Sequence, residues 1–166
     1  DITVSHEKEE PLETGGGLKK AAVFLQDANP FLVMNAEILT DLNINAMLGF
    51  HRQRRPLVTL AVTGRKTSRM FLFTGEDRLC GWRNNASGQE RMAVQGQESI
   101  PRAFSGIHII DPAIFALITE EGKFSLVDLY LRLCAHHTIL GYDHSGDIFI
   151  DAGKPEAVEE AEKYFH

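Results

Sequence analysis

Cysteine, tryptophan and proline are scarce in this sequence of 166 residues, which holds two Cys, one Trp and six Pro. Cys80 and Cys134 stand far apart without C-x-x-C spacing, which argues against a disulfide framework and a structural zinc site. Both are read as buried thiols. Long apolar runs are also lacking: none approaches the ~18 residues of a membrane span, and Asp1 to Glu10 lack the basic-then-apolar layout of a signal peptide. The expectation is a cytoplasmic protein with no membrane partner. There is no excess of basic charge either. Seventeen Lys and Arg against 23 Asp and Glu leave a net charge of -6, so no global field attracts nucleic acid, and any phosphate handled needs a local site.

What is present is ordinary for a folded chain, with 43% hydrophobic and 24% charged residues, which excludes disordered, collagen-like and coiled-coil classes. The length fits a single domain over residues 1–166. The chain starts at Asp1, and Ile2 and Val4 alternate with polar residues as in a strand already under way, so a fragment is expected. Glu13-Thr14-Gly15-Gly16-Gly17 then reads as a glycine-rich turn before a helix over 18–28, where Leu18, Ala21, Ala22 and Leu25 share a face. Asn29-Pro30 stops that helix. Phe31 to Met34 is apolar on both faces and is predicted to run mid-sheet. Asp41 or Asn43 caps a helix through Phe50, whose basic end, His51 to Arg55, suits the negative pole of the helix dipole.

Leu57 to Thr63 is a second buried strand, and strands at Met70–Thr74 and Arg78–Arg83 form a hairpin around Gly75-Glu76-Asp77. Asn84 to Gln97 reads as a loop. Ala103 to Ile110 is a strand, Asp111-Pro112 opens a short helix, and Ser125 caps an amphipathic helix to Ala135. Two short strands, Thr138–Tyr142 and Ile148–Ile150, precede a last helix opened by Lys154-Pro155, with Glu156, Glu159 and Glu160 near its positive pole. Strands alternating with helices imply an α/β fold: a Rossmann-like, mostly parallel sheet with helices on both faces and one antiparallel insertion.

In open α/β sheets ligands lie beyond the carboxyl ends of strands. Three places there carry chemistry. The ETGGG segment offers close backbone approach and N–H groups at a helix start, against the alternative of a plain flexible turn. Asn35-Ala36-Glu37 and Ile150-Asp151 each put a carboxylate at a strand end, and two such acids suit Mg²⁺, against the alternative that each merely caps a turn or helix.

Together, ETGGGLKKA, PFLVMNAEILTDLNI, AFSGIHIIDPAIF and DIFIDAGKPEAVEEAEKYF resemble the sugar-phosphate nucleotidyltransferase family, of the N-acetylmuramate 1-phosphate uridylyltransferase and mannose-1-phosphate guanylyltransferase type, over almost the whole chain. The resemblance implies the nucleotide-diphospho-sugar transferase fold and transfer of a nucleoside monophosphate from a nucleoside triphosphate to a sugar 1-phosphate, releasing pyrophosphate. It implies that Thr14, Gly15, Gly16 and Gly17 lie against base and sugar, and that Glu37, ending the family's N-G-D motif, and Asp151 bind Mg²⁺. Asn35 matches that motif, and Phe104, Ser105, Gly106 and Ile107 match the F-x-G-I segment beside the sugar. The family's G-x-G-T-R-x-x-P-L-T signature and its P-K lysine are absent from this sequence, so its catalytic Arg and Lys have no counterpart here. Arg83-Asn84-Asn85-Ala86 stands at V-E-K-P without its Glu and Lys, and Glu37 stands where Asp is usual. The resemblance therefore implies the carboxyl-terminal two-thirds of such an enzyme, itself inactive or weakly active. A non-catalytic nucleotide-sugar-binding relative, acting as a sensor or partner subunit, is the alternative, and a homo-oligomer is open.

Other polar groups carry structural readings. Cys134, His136 and His137 mark a helix end. His144 with Asp143 and Asp147 forms a turn. Arg52, Arg54, Arg55, Arg65, Lys66 and Arg69 are read as a solvated basic cluster. Trp82 either stacks on a sugar or fills the core.

Overall fold

The computed structural model describes residues 2–7, 10–96, 98–153, 157 and 161–164. Residues 2–7 form no strand, and Ile2 and Val4 are 95% and 74% exposed, so the strand expected at Ile2–Ser5 is corrected: no partner strand lies beside it among the described residues. The start of the expected last helix, with Lys154, Pro155, Glu156, Glu159 and Glu160, lies outside the described residues.

The first helix, α1 (Glu13–Lys20), begins earlier than its sequence suggests, and α2 (Ala22–Leu25) follows. The glycines expected in a turn are helical. Glycine costs a helix about 1 kcal/mol relative to alanine, and packing overrides this here: a Cβ on Gly15 would lie 2.4 Å from the Phe124 ring, and one on Gly16 would lie 2.3 Å from the Gly122 carbonyl oxygen.

β1 (Phe31–Met34) and β2 (Ile38–Thr40) lead to α3 (Ile44–Arg54). Asn43, rather than Asp41, caps α3, accepting from Ala46 N–H at 3.0 Å, while Asp41 accepts from Ile148 N–H at 2.6 Å. Arg55 ends the helix in the left-handed conformation just before Pro56. β3 (Val58–Thr63) is buried at every residue, Thr59 and Thr63 included, as expected of a strand covered on both faces. β4 (Arg69–Phe73) and β5 (Leu79–Asn84) form the expected hairpin. β6 (Gln89–Met92) pairs with β5 inside the segment expected to be a loop; it is an exposed edge strand with no apolar alternation to announce it. β7 (Ile100–Ile110), a 3₁₀ turn (Pro112–Leu117), α4 (Leu126–Leu133), β8 (Ile139–Asp143) and β9 (Phe149–Asp151) complete the order.

The class is α/β, and the seven-stranded sheet runs β6-β5-β4-β7-β3-β8 with β1 also on β7. Its pairing corrects the mostly parallel expectation: among the described residues only β3–β8 is parallel, and the other pairs in this sheet are antiparallel. Strands β1, β3, β4, β6 and β8 do run one way, as helical crossovers favour. The long β7, running the other way, slots between β1 and β3, and local periodicity carries no sign of it. β1 pairs only with β7 among the described residues, leaving Leu32 and Met34 exposed, so its expected mid-sheet place is also corrected.

Apolar layers cover both faces. Val58, Leu60 and Val62 pack with Leu126, Leu129, Tyr130 and Leu133 of α4, while Ala61, Ile107 and Ile109 pack with Met47 of α3 and with Ile38 and Leu42. No helix among the described residues is long and apolar enough to cross a membrane. Cys80 and Cys134 are free and buried, and burial raises both thiols, Cys134 to about 11, which leaves them protonated and inert.

Candidate nucleotide-sugar site

Two constellations meet at the carboxyl end of β1. In the first, β2 pairs with β9 so that Ile38 faces Asp151, and Ala152 N–H donates to the Glu37 carbonyl at 2.8 Å. This register places Glu37 beside Asp151. A Cβ built on Gly153 would lie 3.1 Å from Asp151 Oδ1 and 3.6 Å from Glu37 Cγ. Both side chains are exposed. Among the described residues no group of three or more His, Cys, Asp and Glu gathers to enclose a metal. Two exposed hard-oxygen donors suit Mg²⁺, which takes one or two carboxylates and completes its shell with water and phosphate.

Asn35 and the β7 bulge adjoin this pair. Asn35 N–H donates to the Gly106 carbonyl at 3.0 Å. Opposite, the β3–β7 register shifts between Leu60 and Val62, and Gly106 takes φ +72°, which leaves room for the Asn35 amide where a Cβ would come within 2.9 Å of Nδ2. Thus Asn35 and Gly106 meet near Glu37 and Asp151, while the Ser105 hydroxyl is buried against Arg65 and His144. Phe104 instead turns its ring into an aromatic cluster with Phe71 and His108.

The second constellation is a cleft of about 410 Å³ lined by Thr14, Gly17, Leu32, Asn35, His108 and Leu126, among others. Thr14 and Gly17 therefore face the same hollow as Asn35. Gly15 and Gly16 do not, because their N–H groups, expected to meet a ligand, donate to the Phe124 carbonyl at 2.9 and 3.3 Å. Thr14 has a structural duty as well: its Oγ1 accepts from Leu126 N–H at 3.1 Å and, with Ser125 on Val127 N–H, caps α4. A larger hollow, about 600 Å³, is lined by Thr74, Arg78, Cys80, Glu98 and Cys134 and includes none of the residues singled out for the site. Trp82 is half-buried beside the core and lines a recess of about 230 Å³ with Phe71 and Phe104.

Sequence reasoning missed Arg65 and His144. Arg65 is not a solvated member of a basic cluster: its guanidinium is half-buried, 4.0 Å over the Phe149 ring. His144 is buried, and its Nε2 lies 2.8 Å from Ser105 Oγ. The only sequence signal is that both flank strand ends, at β3 and β8.

Curated proteins similar to this chain act on sugar phosphates, by their names. An N-acetylmuramate alpha-1-phosphate uridylyltransferase of Caulobacter vibrioides is 31% identical over 165 residues, covering 97% of this chain and 64% of the relative. A mannose-1-phosphate guanylyltransferase catalytic subunit beta of Xenopus tropicalis is 38% identical over 159 residues, covering 93% and 41%. This chain is a homologue of sugar-phosphate nucleotidyltransferases. The fold of this nucleotidyltransferase homologue matches the UDP-glucose pyrophosphorylase of Acinetobacter baumanii with a TM-score of 0.71 at 14% identity, over 92% of the chain and 56% of that protein. No family model matches. The chain spans less than two thirds of the length of these relatives.

Proposed function

We propose that the protein of which these residues form part transfers a nucleoside monophosphate from a nucleoside triphosphate to a sugar 1-phosphate, in the cytoplasm. The observation that carries this reading is the β2–β9 register, which puts Glu37 and Asp151 side by side next to Asn35 and the Gly106 bulge. In the reaction a sugar-phosphate oxygen bonds to the α-phosphorus while the bond to pyrophosphate breaks. Positioning and charge neutralisation are the main tasks of a protein in such a transfer. Glu37 and Asp151 would hold Mg²⁺, which offsets the crowding of phosphate charge. The Asn35 amide borders the same hollow as Thr14 and Gly17, where base and sugar would lie. The Phe104 ring packs on Phe71, and the bulge sets Gly106 against Asn35.

A second reading, a nucleotide-sugar-binding relative without catalysis, is favoured by Arg83-Asn84-Asn85-Ala86, which stands at V-E-K-P without its Glu and Lys. Pyrophosphate release from four nucleoside triphosphates and several sugar 1-phosphates with Mg²⁺, using the full product of the gene, separates the two. Release with one pair supports the transferase. Nucleotide-sugar binding without release supports the second reading. From residues 1–166 alone, weak or no release is expected.

A further inference from the structure

Arg65 leaves β3 after Gly64 and returns across the sheet end. Its Nη1 donates to Thr63 Oγ1 at 2.9 Å and to Ser105 Oγ at 3.1 Å, and its Nη2 donates to the Phe104 carbonyl. These acceptors are all neutral. A guanidinium has five N–H donors, so some remain for another partner. Arg91, Arg102 and Arg132 each meet a carboxylate at 2.6, 2.7 and 2.7 Å, whereas no ion pair among the described residues includes Arg65. Burial lowers the proton affinity of Arg65, and Asp151, beyond pairing distance, raises it. A half-buried cation held by neutral groups carries a desolvation cost that a bound anion would offset.

The guanidinium is also aimed from behind. Ser105 is 1% exposed, and its oxygen accepts from Arg65 and lies 2.8 Å from His144 Nε2. Asp147 Oδ2, an acceptor only, lies 3.7 Å from His144 Nδ1, a buried atom without a hydrogen-bond partner, and favours the imidazole proton there, so the Ser105 hydroxyl donates to Nε2. Burial lowers the His144 pKa against the pull of Asp147, keeping the ring a neutral acceptor. The clamp thus fixes the Ser105 lone pair that steadies Arg65. On the other face Phe149, two residues before Asp151 on β9, stacks on the guanidinium.

We infer that Arg65, aimed by the Ser105–His144 clamp, binds a phosphate group of the substrate beside the Glu37–Asp151 pair. This rests on the transferase reading for what the phosphate belongs to. Ser105 and His144 are positioning residues.

The test is titration of the full chain with inorganic phosphate, glucose 1-phosphate and UTP, read by calorimetry and by the Arg65 Nε–H resonance. Arg65→Gln is expected to weaken phosphate binding by about tenfold or more, and Arg65→Lys by a similar factor, since an ammonium lacks the fork. Arg69→Gln, at an exposed position, leaves it unchanged. Ser105→Ala broadens the Arg65 resonance before any ligand is added, which a purely structural serine would not do. A larger loss for glucose 1-phosphate than for UTP assigns the phosphate to the acceptor, and the reverse assigns it to the donor; either supports the inference. No saturable binding at millimolar phosphate, or affinity within about twofold in a folded Arg65→Gln chain, overturns it. Loss of phosphate binding in Arg65→Gln, with no pyrophosphate release from the full gene product, would sink the transferase reading and leave the anion site standing. Pyrophosphate release with phosphate binding indifferent to Arg65 would do the opposite.

Discussion

Gly16 and Gly17 are neighbours with opposite roles. A Cβ on Gly16 meets the Gly122 carbonyl at 2.3 Å, whereas one on Gly17 meets only the end of Glu7, with Oε1 at 3.1 Å. Gly16→Ala should therefore cost about 1–3 kcal/mol through overpacking, while Gly17→Ala should be neutral or gain up to about 1 kcal/mol of helix propensity. Urea unfolding checks both. If Gly17 serves ligand approach, its alanine variant binds nucleotide sugar more weakly without losing stability. Such a split was not legible in the sequence, because Gly122, the neighbour that decides it, lies a hundred residues on. Arg65 was hidden for the same reason: its burial depends on Ser105, Phe104 and Phe149, and locally it is one cation among several.

His108 makes a second prediction at this scale. Fully buried on β7 against Tyr130, whose oxygen lies 2.8 Å from Nδ1, it has its pKa pushed down to about 3 by desolvation. The unfolded chain titrates near 6.5. Between those values the unfolded state binds the extra proton, so the contribution of His108 is fully present above about pH 6.5 and is lost as pH falls, by at most ~1.4 kcal/mol per pH unit. Urea unfolding from about pH 7 to about pH 5 should show this fall, with a shallower slope in His108→Gln.

At the scale of elements, capping and bulging position the site. Asn43→Ala removes the acceptor for Ala46 N–H and should cost about 1 kcal/mol, seen as a lower urea midpoint with unchanged m-value. Gly106→Ala forces a side chain into the left-handed region against Asn35 and should cost at least ~1–2 kcal/mol while loosening the mouth of the site. The elements most legible in sequence were those whose pattern is local. The LVTLAVT run of β3, the β4–β5 hairpin around Gly75 and the Ser125 cap of α4 stand as read. Gln89–Met92 gave no sign because an exposed edge strand needs no apolar face, and it pairs with β5 through its backbone ladder and the surface ion pair Arg83–Glu90.

For the whole molecule, the direction of most strands followed from the alternation of helix and strand, but the neighbour of each strand did not. β7 is reached only after the hairpin and β6, and it inserts between strands that would otherwise be parallel partners. The site depends on that insertion, since Gly106 on β7 meets Asn35 at the end of β1. Its two acids, by contrast, were visible as strand-end carboxylates, and β2–β9 pairing brings them together. The most direct test of the account is pyrophosphate release by the full gene product with its best substrate pair and Mg²⁺, compared with Asp151→Asn. The account predicts release that falls by about a hundredfold or more in the variant, the scale lost when charge stabilisation is removed; release indifferent to Asp151, or none from any pair, would contradict it.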